Sequence, residues 1–178
     1  MNYYNGWPTN GEYVNKLNHI ENTICKYLIN FPKLNYKLSV IFDIDDTLLF
    51  SNKSKTGNNT YYLKQIIQIG NILRLCNELN FKIIIITARP EESRVWSIEN
   101  LKMYNLPFHE IYHNKYYPDI NFKIQLQKQL SQFNKIILSI GDQWPDILGL
   151  SNCLCIKLPS VQDHNSYFTF NNINYYPI

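Results

Sequence analysis

Short apolar runs alternate with amphipathic segments along most of the chain, and this alternation restricts the fold more than any other feature. The apolar runs have the length of strands and stop at polar residues, whereas the longer segments carry apolar residues at helical spacing. Such alternation is typical of a mostly parallel sheet flanked by helices, which predicts an α/β fold. The pattern predicts helices at 10–31, 63–79, 91–104 and 122–133, and strands at 38–44, 81–87, 109–113, 135–140 and 153–158.

The chain of 178 residues has the size of one domain, and it contains no internal repeat. Hydrophobic residues make up 45% and charged residues 17% of the sequence, as in a soluble globular protein. We therefore predict a single domain over 1–178. It consists of an N-terminal helical extension (1–37), a catalytic core (38–158) and a C-terminal tail (159–178).

Charge and hydropathy limit the expected partners and location. The net charge is +3 and no basic patch is evident, so a nucleic-acid partner is not indicated, although nucleic acid stays open as a substrate. No apolar run is long enough to cross a membrane, and the first residues lack the features of a signal peptide. We expect a cytoplasmic protein without a membrane partner, in the host cytoplasm if the chain is viral.

The first predicted strand ends in a group of acids. In a parallel sheet, ligands bind at the carboxyl ends of the strands. Asp43 and Asp45 are two residues apart, so both project to one side of an extended chain. Their mutual repulsion would be relieved by a divalent cation such as Mg²⁺. Alternatively, Asp45 or Asp46 only caps a turn.

The second strand ends at Thr87, with Ala88 and Arg89 after it. The Thr87 hydroxyl, together with neighbouring backbone N–H groups, is suited to hold a phosphoryl oxygen. Ala88 and Arg89 are therefore candidate substrate-binding residues. The alternative for Arg89 is an ion pair with Glu91 or Glu92.

The later strand ends in Gly141 and Asp142, and Lys123 lies near the start of a helix between these strands. Gly141 permits a tight turn out of the strand. Asp142 would complete a metal site, with Asp146 behind it as support, unless Asp146 only caps a helix. Lys123 would neutralise phosphoryl charge at the same edge of the sheet.

Taken together, these segments resemble the haloacid dehalogenase (HAD) superfamily of phosphohydrolases, whose catalytic domain is Rossmann-like. Asp43-Ile44-Asp45-Asp46-Thr47 is similar to the first motif of that superfamily, Thr87 to the second, Lys123 to the third, and Asp142 with Asp146 to the fourth. The segment Gly141-Asp142-Gln143-Trp144 resembles more specifically the acid phosphatase subfamily. That subfamily contains class B (subfamily IIIB) acid phosphatases and plant vegetative storage proteins.

The resemblance implies a magnesium-dependent phosphatase, a phosphoric monoester hydrolase. Asp43 would attack phosphorus and form an aspartyl-phosphate, and Asp45 would protonate the leaving oxygen and then activate water. Thr87 and Lys123 would hold the transferring oxygens. Mg²⁺ would be bound by Asp43, Asp142 and the backbone carbonyl of Asp45, with Asp146 in support.

The intervals 48–61 and 89–122 leave no room for a large cap domain. A family member without a cap has an open site, so the phosphorylated substrate is of unknown size. Another subunit of a homo-oligomer, the loop 50–60 or the Tyr-rich tail would form the walls. Two other functions stay open: a phosphatase for polynucleotide ends or phosphoproteins, and an inactive storage or binding protein of the same fold.

The remaining cysteines and histidines are expected to be structural. Cys153 and Cys155 alternate along one strand and face the same side, which favours buried thiols over a metal or redox pair. His113 and His164 have no ligand spacing with the acids, so packing or surface roles are expected for both.

Overall fold

A computed structural model describes residues 3–4, 7–8, 11–32, 37–50, 64–119 and 121–158. Two strands near the start pair with each other antiparallel, and the other five form one sheet in which every pairing is parallel. The predicted α/β fold is confirmed. The strands are β1 (Tyr3–Tyr4), β2 (Trp7–Pro8), β3 (Leu38–Phe42), β4 (Lys82–Pro90), β5 (Glu110–Asn114), β6 (Lys135–Gly141) and β7 (Leu154–Lys157).

The order of the central sheet is β5-β4-β3-β6-β7, so the chain crosses over between neighbouring strands. Four α-helices and two short 3₁₀ turns lie in the described residues between or before these strands. The helices are α1 (Gly11–Ile29), α2 (Ile67–Glu78), α3 (Arg94–Met103) and α4 (Phe122–Leu130), and the 3₁₀ turns are Glu91–Ser93 and Trp144–Asp146.

Several predicted boundaries are wrong: α4 ends at Leu130 and not at 133, and β4 continues beyond Thr87 to Pro90. The predicted helix 63–79 begins only at Ile67, because the Ile66 N–H donates to the Leu48 carbonyl at 2.9 Å and Gln65 bridges to Leu49 in extended form. The predicted helix 91–104 is split, because its first turn is tightened to a 3₁₀ turn before α3 starts, as is common at helix ends.

The sheet is covered on both faces, which explains why its central strands are continuously apolar. Val40, Phe42 and Ile85 lie in one cluster together with residues of α1, α2 and α3. Ile41 and Ile84 point to the opposite face, where a second cluster includes residues of α4. Alternate residues of the same strands thus fill two separate layers of core.

The N-terminal helix α1 is part of the main core. Its Leu17, Ile24 and Leu28 are almost fully buried in the cluster that also contains Ile69 and Leu73 of α2. The predicted N-terminal extension therefore packs against the central domain. The division into 1–37, 38–158 and 159–178 remains a prediction.

The interval between β4 and α4 contains, among the residues described there, one 3₁₀ turn, α3 and β5. No large cap domain is present in that interval. The predicted walls at 51–60 and in the tail from residue 159 lie outside the described residues. None of the described helices combines the length and hydropathy that a membrane span requires.

We expect Ile24→Ala to destabilise the protein by about 2–5 kcal/mol, because Ile24 is 1% exposed and its truncation leaves a cavity between α1 and α2. Ile29→Ala is the matched control on the same helix: its side chain is 61% exposed, so a change below about 0.5 kcal/mol is expected. Urea unfolding measures both. Equal stability of the two variants would show that α1 does not belong to the core.

Candidate active site

The carboxyl ends of the strands bring together residues that are far apart in the sequence. Asp43 directly follows β3, and its backbone N–H extends the pairing with β6 by donating to the Ile140 carbonyl at 3.1 Å. Asp142 directly follows β6, and Thr87 lies near the end of β4. Because β4, β3 and β6 are neighbours, these three residues reach the same edge of the sheet.

Lys123, on the first turn of α4, joins two of the acids. Its Nζ lies 2.6 Å from Asp43 Oδ1 and 2.5 Å from Asp146 Oδ1. All three side chains are nearly inaccessible to solvent. Burial disfavours the lysine charge, but the charges of Asp43 and Asp146 outweigh that effect and raise the pKa of Lys123. The lysine is therefore a fixed positive charge beside Asp43.

Three buried acids surround a position suited to a cation. One carboxylate oxygen from each of Asp43, Asp142 and Asp146 lies within 4.8 Å of the others. Burial, followed by the neighbouring charges, raises the pKa of Asp43 to about 7, although Lys123 opposes the rise. Burial and then the Asp43 charge raise the pKa of Asp142 to about 8. The single ammonium thus leaves the cluster with uncompensated negative charge, so a divalent metal ion fits these residues.

Asp146 lies within this acid cluster, whereas the sequence predicted it only as support from behind. Its Oδ2 also accepts a hydrogen bond from the Gln143 N–H at 2.8 Å. A Cβ at Gly141 would lie 2.1 Å from the Asp146 Cβ. Gly141 is therefore needed for the close approach of Asp146, and not for the tight turn that the sequence suggested.

Two polar residues that the sequence analysis missed hold the Asp146 backbone. The Asp146 carbonyl accepts hydrogen bonds from Gln127 Nε2 at 2.6 Å and from Ser139 Oγ at 2.8 Å, and the Gln127 Oε1 accepts from the Gly149 N–H at 2.9 Å. Gln127 lies four residues after Lys123 and so on the same face of α4. This spacing was the available signal that Gln127 faces the same side as Lys123. A glutamine buried there is expected to bind backbone groups, because buried polar side chains are rarely without hydrogen-bond partners.

The predicted phosphate-binding residues lie at the edge of the sheet beside this cluster. Thr87 is fully buried, and its Oγ1 accepts a hydrogen bond from the Arg89 N–H at 3.2 Å. A hydroxyl that accepts one bond can still donate another, so the predicted role of Thr87 is compatible with this contact. Ala88 is exposed at the same edge.

Asp45 and Arg89 form a bidentate ion pair. Arg89 Nε donates to Asp45 Oδ2 at 2.8 Å, and Arg89 Nη2 donates to Oδ1 at 2.6 Å. The predicted alternative partners of Arg89 are wrong in this structure, since Glu91 pairs with Arg94 instead. The carboxylate of Asp45 faces Arg89 and is not among the three acids of the cluster, and metal binding by its backbone carbonyl remains a prediction.

Asp46 occupies the turn that follows. Its φ is 56°, a left-handed conformation that aspartate tolerates better than most residues, and its N–H donates to the Leu49 carbonyl at 2.7 Å. The alternative in which an acid of the first motif forms a turn thus applies to Asp46. Asp43 and Asp45 instead form ion pairs with Lys123 and Arg89.

Tyr13 of α1 is a further residue near the cluster that the sequence analysis missed. It is 3% exposed, and burial followed by the charges of Asp46 and Asp142 raises its pKa. The N-terminal helix therefore reaches the neighbourhood of the acids. No sequence signal marked Tyr13, because a tyrosine on an apolar helix face is usually a core residue.

His113 lies at the end of β5 and is 3% exposed. Burial, followed by the charge of Arg94, lowers its pKa, so the ring is neutral near pH 7. His164 lies outside the described residues. Cys155 lies in β7 and Cys153 directly precedes it, so the predicted strand 153–158 begins one residue later. Both cysteines are free and half-buried, with their sulfurs 3.4 Å apart on one side of the chain.

The fold and the acid cluster define an α/β domain of the HAD type, with acids, a threonine and a lysine at the carboxyl edge of one parallel sheet. The sequence pattern of the family described as HAD superfamily, subfamily IIIB (acid phosphatase), matches residues 63–178. The chain belongs to this family. The matched region starts after Asp43 and so does not include the first motif. The structure places that motif beside the others.

Known proteins similar to this chain include an enzyme of tomato. Acid phosphatase 1 of Solanum lycopersicum is 29% identical over 148 residues, which cover 67% of this chain and 56% of that protein. The chain thus aligns with little more than half the length of this relative.

Solved structures share the fold at lower identity. The class C acid phosphatase of Bacillus anthracis has a TM-score of 0.60 at 21% identity, covering 79% of this chain and 67% of that chain. A chain of the Pnkp1/Rnl/Hen1 RNA repair complex has a TM-score of 0.55 at 18% identity, covering 71% of this chain and 44% of that chain. Both comparisons support the architecture alone.

We expect Mg²⁺ to raise the melting temperature of the metal-free protein more at pH 8 than at pH 5. Above the ordinary pKa of 3.8, the folded protein retains the proton of Asp43 up to its pKa of about 7 and that of Asp142 up to its pKa of about 8, whereas the unfolded chain has released both. Folded stability without metal therefore falls as the pH rises through this range, while metal binding requires the deprotonated acids. Thermal denaturation with and without Mg²⁺ measures the difference.

Asp142→Asn is the matched variant, because it removes one charged ligand at nearly constant volume. The stabilisation by Mg²⁺ at pH 8 should shrink strongly in this variant. A shift of equal size at both pH values, or one that Asp142→Asn leaves intact, would contradict a metal site in the acid cluster.

Proposed function

We propose that this protein is a Mg²⁺-dependent phosphohydrolase that cleaves phosphomonoesters through an aspartyl-phosphate on Asp43. The observation that carries this proposal is the contact of Asp43 with Lys123 inside the buried cluster of Asp43, Asp142 and Asp146. A carboxylate next to a fixed ammonium and a cation site can approach an anionic phosphate, because both positive charges reduce their repulsion.

The metal would be held by Asp43 and Asp142, with Asp146 close enough to be a third ligand or to orient the others. These ligands favour Mg²⁺ over softer ions, because every side-chain ligand offered is a carboxylate oxygen. When bound, the ion would neutralise charge on the phosphoryl oxygens. Lys123 would do the same from the side of α4.

In the first step, an Asp43 oxygen attacks phosphorus and the bond between phosphorus and the leaving oxygen breaks. Asp45 gives its proton to that oxygen, so that an alcohol departs. The Thr87 hydroxyl and the backbone N–H of the exposed residue Ala88 lie at the same edge and would hold a phosphoryl oxygen.

In the second step, a water attacks the phosphorus of the aspartyl-phosphate and gives a proton to Asp45. The bond between phosphorus and the Asp43 oxygen then breaks, which releases phosphate and restores both acids. Asp45 is suited to this exchange because it is about one-third exposed, whereas Asp43 is buried. Water and the departing alcohol can therefore reach Asp45.

Asp43→Asn should reduce the release of phosphate to background, because an amide cannot form the acyl phosphate. Asp45→Asn should slow turnover by about 10²–10⁴-fold, the usual contribution of a general acid and base. Phosphate release from a panel of phosphomonoesters, with and without Mg²⁺, measures both effects. Glu99→Gln, on the exposed face of α3, is the control and should keep full activity.

The outcomes separate the proposed enzyme from an inactive storage or binding protein. Wild-type protein that binds Mg²⁺ but hydrolyses none of the phosphomonoesters supports the inactive alternative. Full turnover by Asp43→Asn would rule out the covalent mechanism, even in an active enzyme.

One observation favours a second candidate, the removal of phosphate from the ends of single-stranded polynucleotides. Two exposed aromatic rings, one toward each end of the sheet, lie next to lysines. Lys115 Nζ lies 5.6 Å from the ring centre of Tyr116, which follows β5, and Lys157 Nζ of β7 lies 5.7 Å from that of Trp144. Tyr116 follows β5 and Trp144 follows β6, which are three strand spacings or roughly 14 Å apart, so the two rings are spaced for more than one nucleotide.

This candidate predicts a higher kcat/KM for a phosphorylated oligonucleotide than for the matching mononucleotide. Tyr116→Ala and Trp144→Ala should each cost about 1–3 kcal/mol of transition-state binding for the oligonucleotide, the usual value of stacking one base, and little for the mononucleotide. Equal kcat/KM for the two substrates would leave the general phosphomonoesterase as the function.

A further inference from the structure

Asp43 and Asp45 are two residues apart, yet the structure gives them different cationic partners. Asp43 contacts Lys123, whereas both oxygens of Asp45 are bound by Arg89. The Asp45 side chain is 36% exposed, but that of Arg89 is only 6% exposed. One acid thus belongs to the buried cluster, and the other is held at its rim by a buried guanidinium group.

Arg89 is itself held in place by three residues of α3. Its Nη1 donates to Ser97 Oγ at 3.1 Å and to Asn100 Oδ1 at 3.4 Å, and its guanidinium carbon lies 4.2 Å from the ring centre of Trp96. Ser97 and Asn100 are buried. Nε and both Nη atoms therefore have partners, and the plane of the group is set by stacking on an aromatic ring.

We infer that Arg89 is a positioning residue for Asp45, and that Trp96, Ser97 and Asn100 of α3 fix Arg89 in the orientation that this requires. The inference rests on the proposed function, in which Asp45 exchanges a proton with the leaving oxygen and then with water. It replaces substrate binding, the role that the sequence suggested for Arg89.

Several contacts distinguish positioning from phosphate binding. The edge of the guanidinium group formed by Nε and Nη2, which could bind a phosphate, is already bound to Asp45. Lys123 supplies a cation beside Asp43. Without Arg89, the Asp45 side chain would be free to turn toward the cation site of the acid cluster. Arg89 therefore separates the acid that exchanges protons from the acids that surround the metal.

The pair need not break when Asp45 carries a proton. One carboxyl oxygen can keep its bond from Arg89 while the hydroxyl on the other oxygen turns to the leaving group. An arginine suits this arrangement better than a lysine, because its two parallel N–H groups set the direction of the carboxyl plane and a single ammonium does not.

The test compares substrates that need a proton donor with substrates that do not. The alkoxide that leaves an alkyl phosphate is strongly basic and requires protonation, whereas the p-nitrophenolate that leaves p-nitrophenyl phosphate is a stable anion. We expect Arg89→Ala to lower kcat for the alkyl phosphate on the order of 10²-fold, within the range of general acid catalysis, and to change kcat for p-nitrophenyl phosphate much less. KM should change little for either substrate.

Three further variants sharpen this result. Arg94→Ala removes a partly exposed arginine that pairs with Glu91 and should leave both substrates unaffected. Arg89→Lys should not restore the alkyl phosphate reaction, while added guanidinium ion should restore part of it in Arg89→Ala. Asn100→Ala should show the same dependence on the leaving group with a smaller loss, and it serves if Arg89→Ala does not fold.

Equal losses for both leaving groups, or a loss confined to KM, would overturn the inference and favour a structural or substrate-binding role. These results leave the proposed function intact as long as the wild type is active and Asp43→Asn is not. A wild type without turnover on any phosphomonoester would overturn the proposed function and this inference together.

Discussion

The contact of Lys123 with Asp43 and Asp146 is the interaction on which the arrangement of the site depends. It joins the end of β3, the first turn of α4 and the loop after β6, which are separated by 80 and 23 residues of sequence. Three acids gathered in a buried space repel one another, and the ammonium is the positive charge that the chain itself supplies. The sheet order makes this contact possible, because β3 and β6 are neighbours and α4 leads directly into β6.

The two acids of the first motif, Asp43 and Asp45, form ion pairs with different cations in different surroundings. Alternation along an extended strand places Asp43 and Asp45 on one side, but the left-handed turn at Asp46 directs the chain away immediately afterwards. Asp43 lies in the buried cluster and contacts Lys123, while Asp45 contacts Arg89 at a position that is partly exposed to solvent. These surroundings suit the proposed roles: a nucleophile is protected from competing water by burial, whereas a proton donor has to exchange its proton with water.

The sequence predicted the architecture and the meeting of Asp43, Thr87 and Asp142 at one edge of the sheet, because both follow from local signals. Apolar runs that end in Asp43, Thr87 and Asp142 have strand length, and parallel strands necessarily end at one edge. What it missed depends on contacts between distant segments. The partner of Arg89 is Asp45, which lies 44 residues away, and no spacing distinguishes it from Glu91. Tyr13 was likewise invisible, since only the fold brings it to the acids.

The close approach of Gly141 to Asp146 also bears on how relatives of this chain should be compared. One methyl group at Gly141 would occupy the space of the Asp146 side chain, although every acid, the threonine and the lysine would still be present in the sequence. A homologue could thus lose its metal site through a residue that takes part in no chemical step. A survey that separates active from inactive members of such a family therefore has to compare the residue at the position of Gly141, as well as the aspartates themselves.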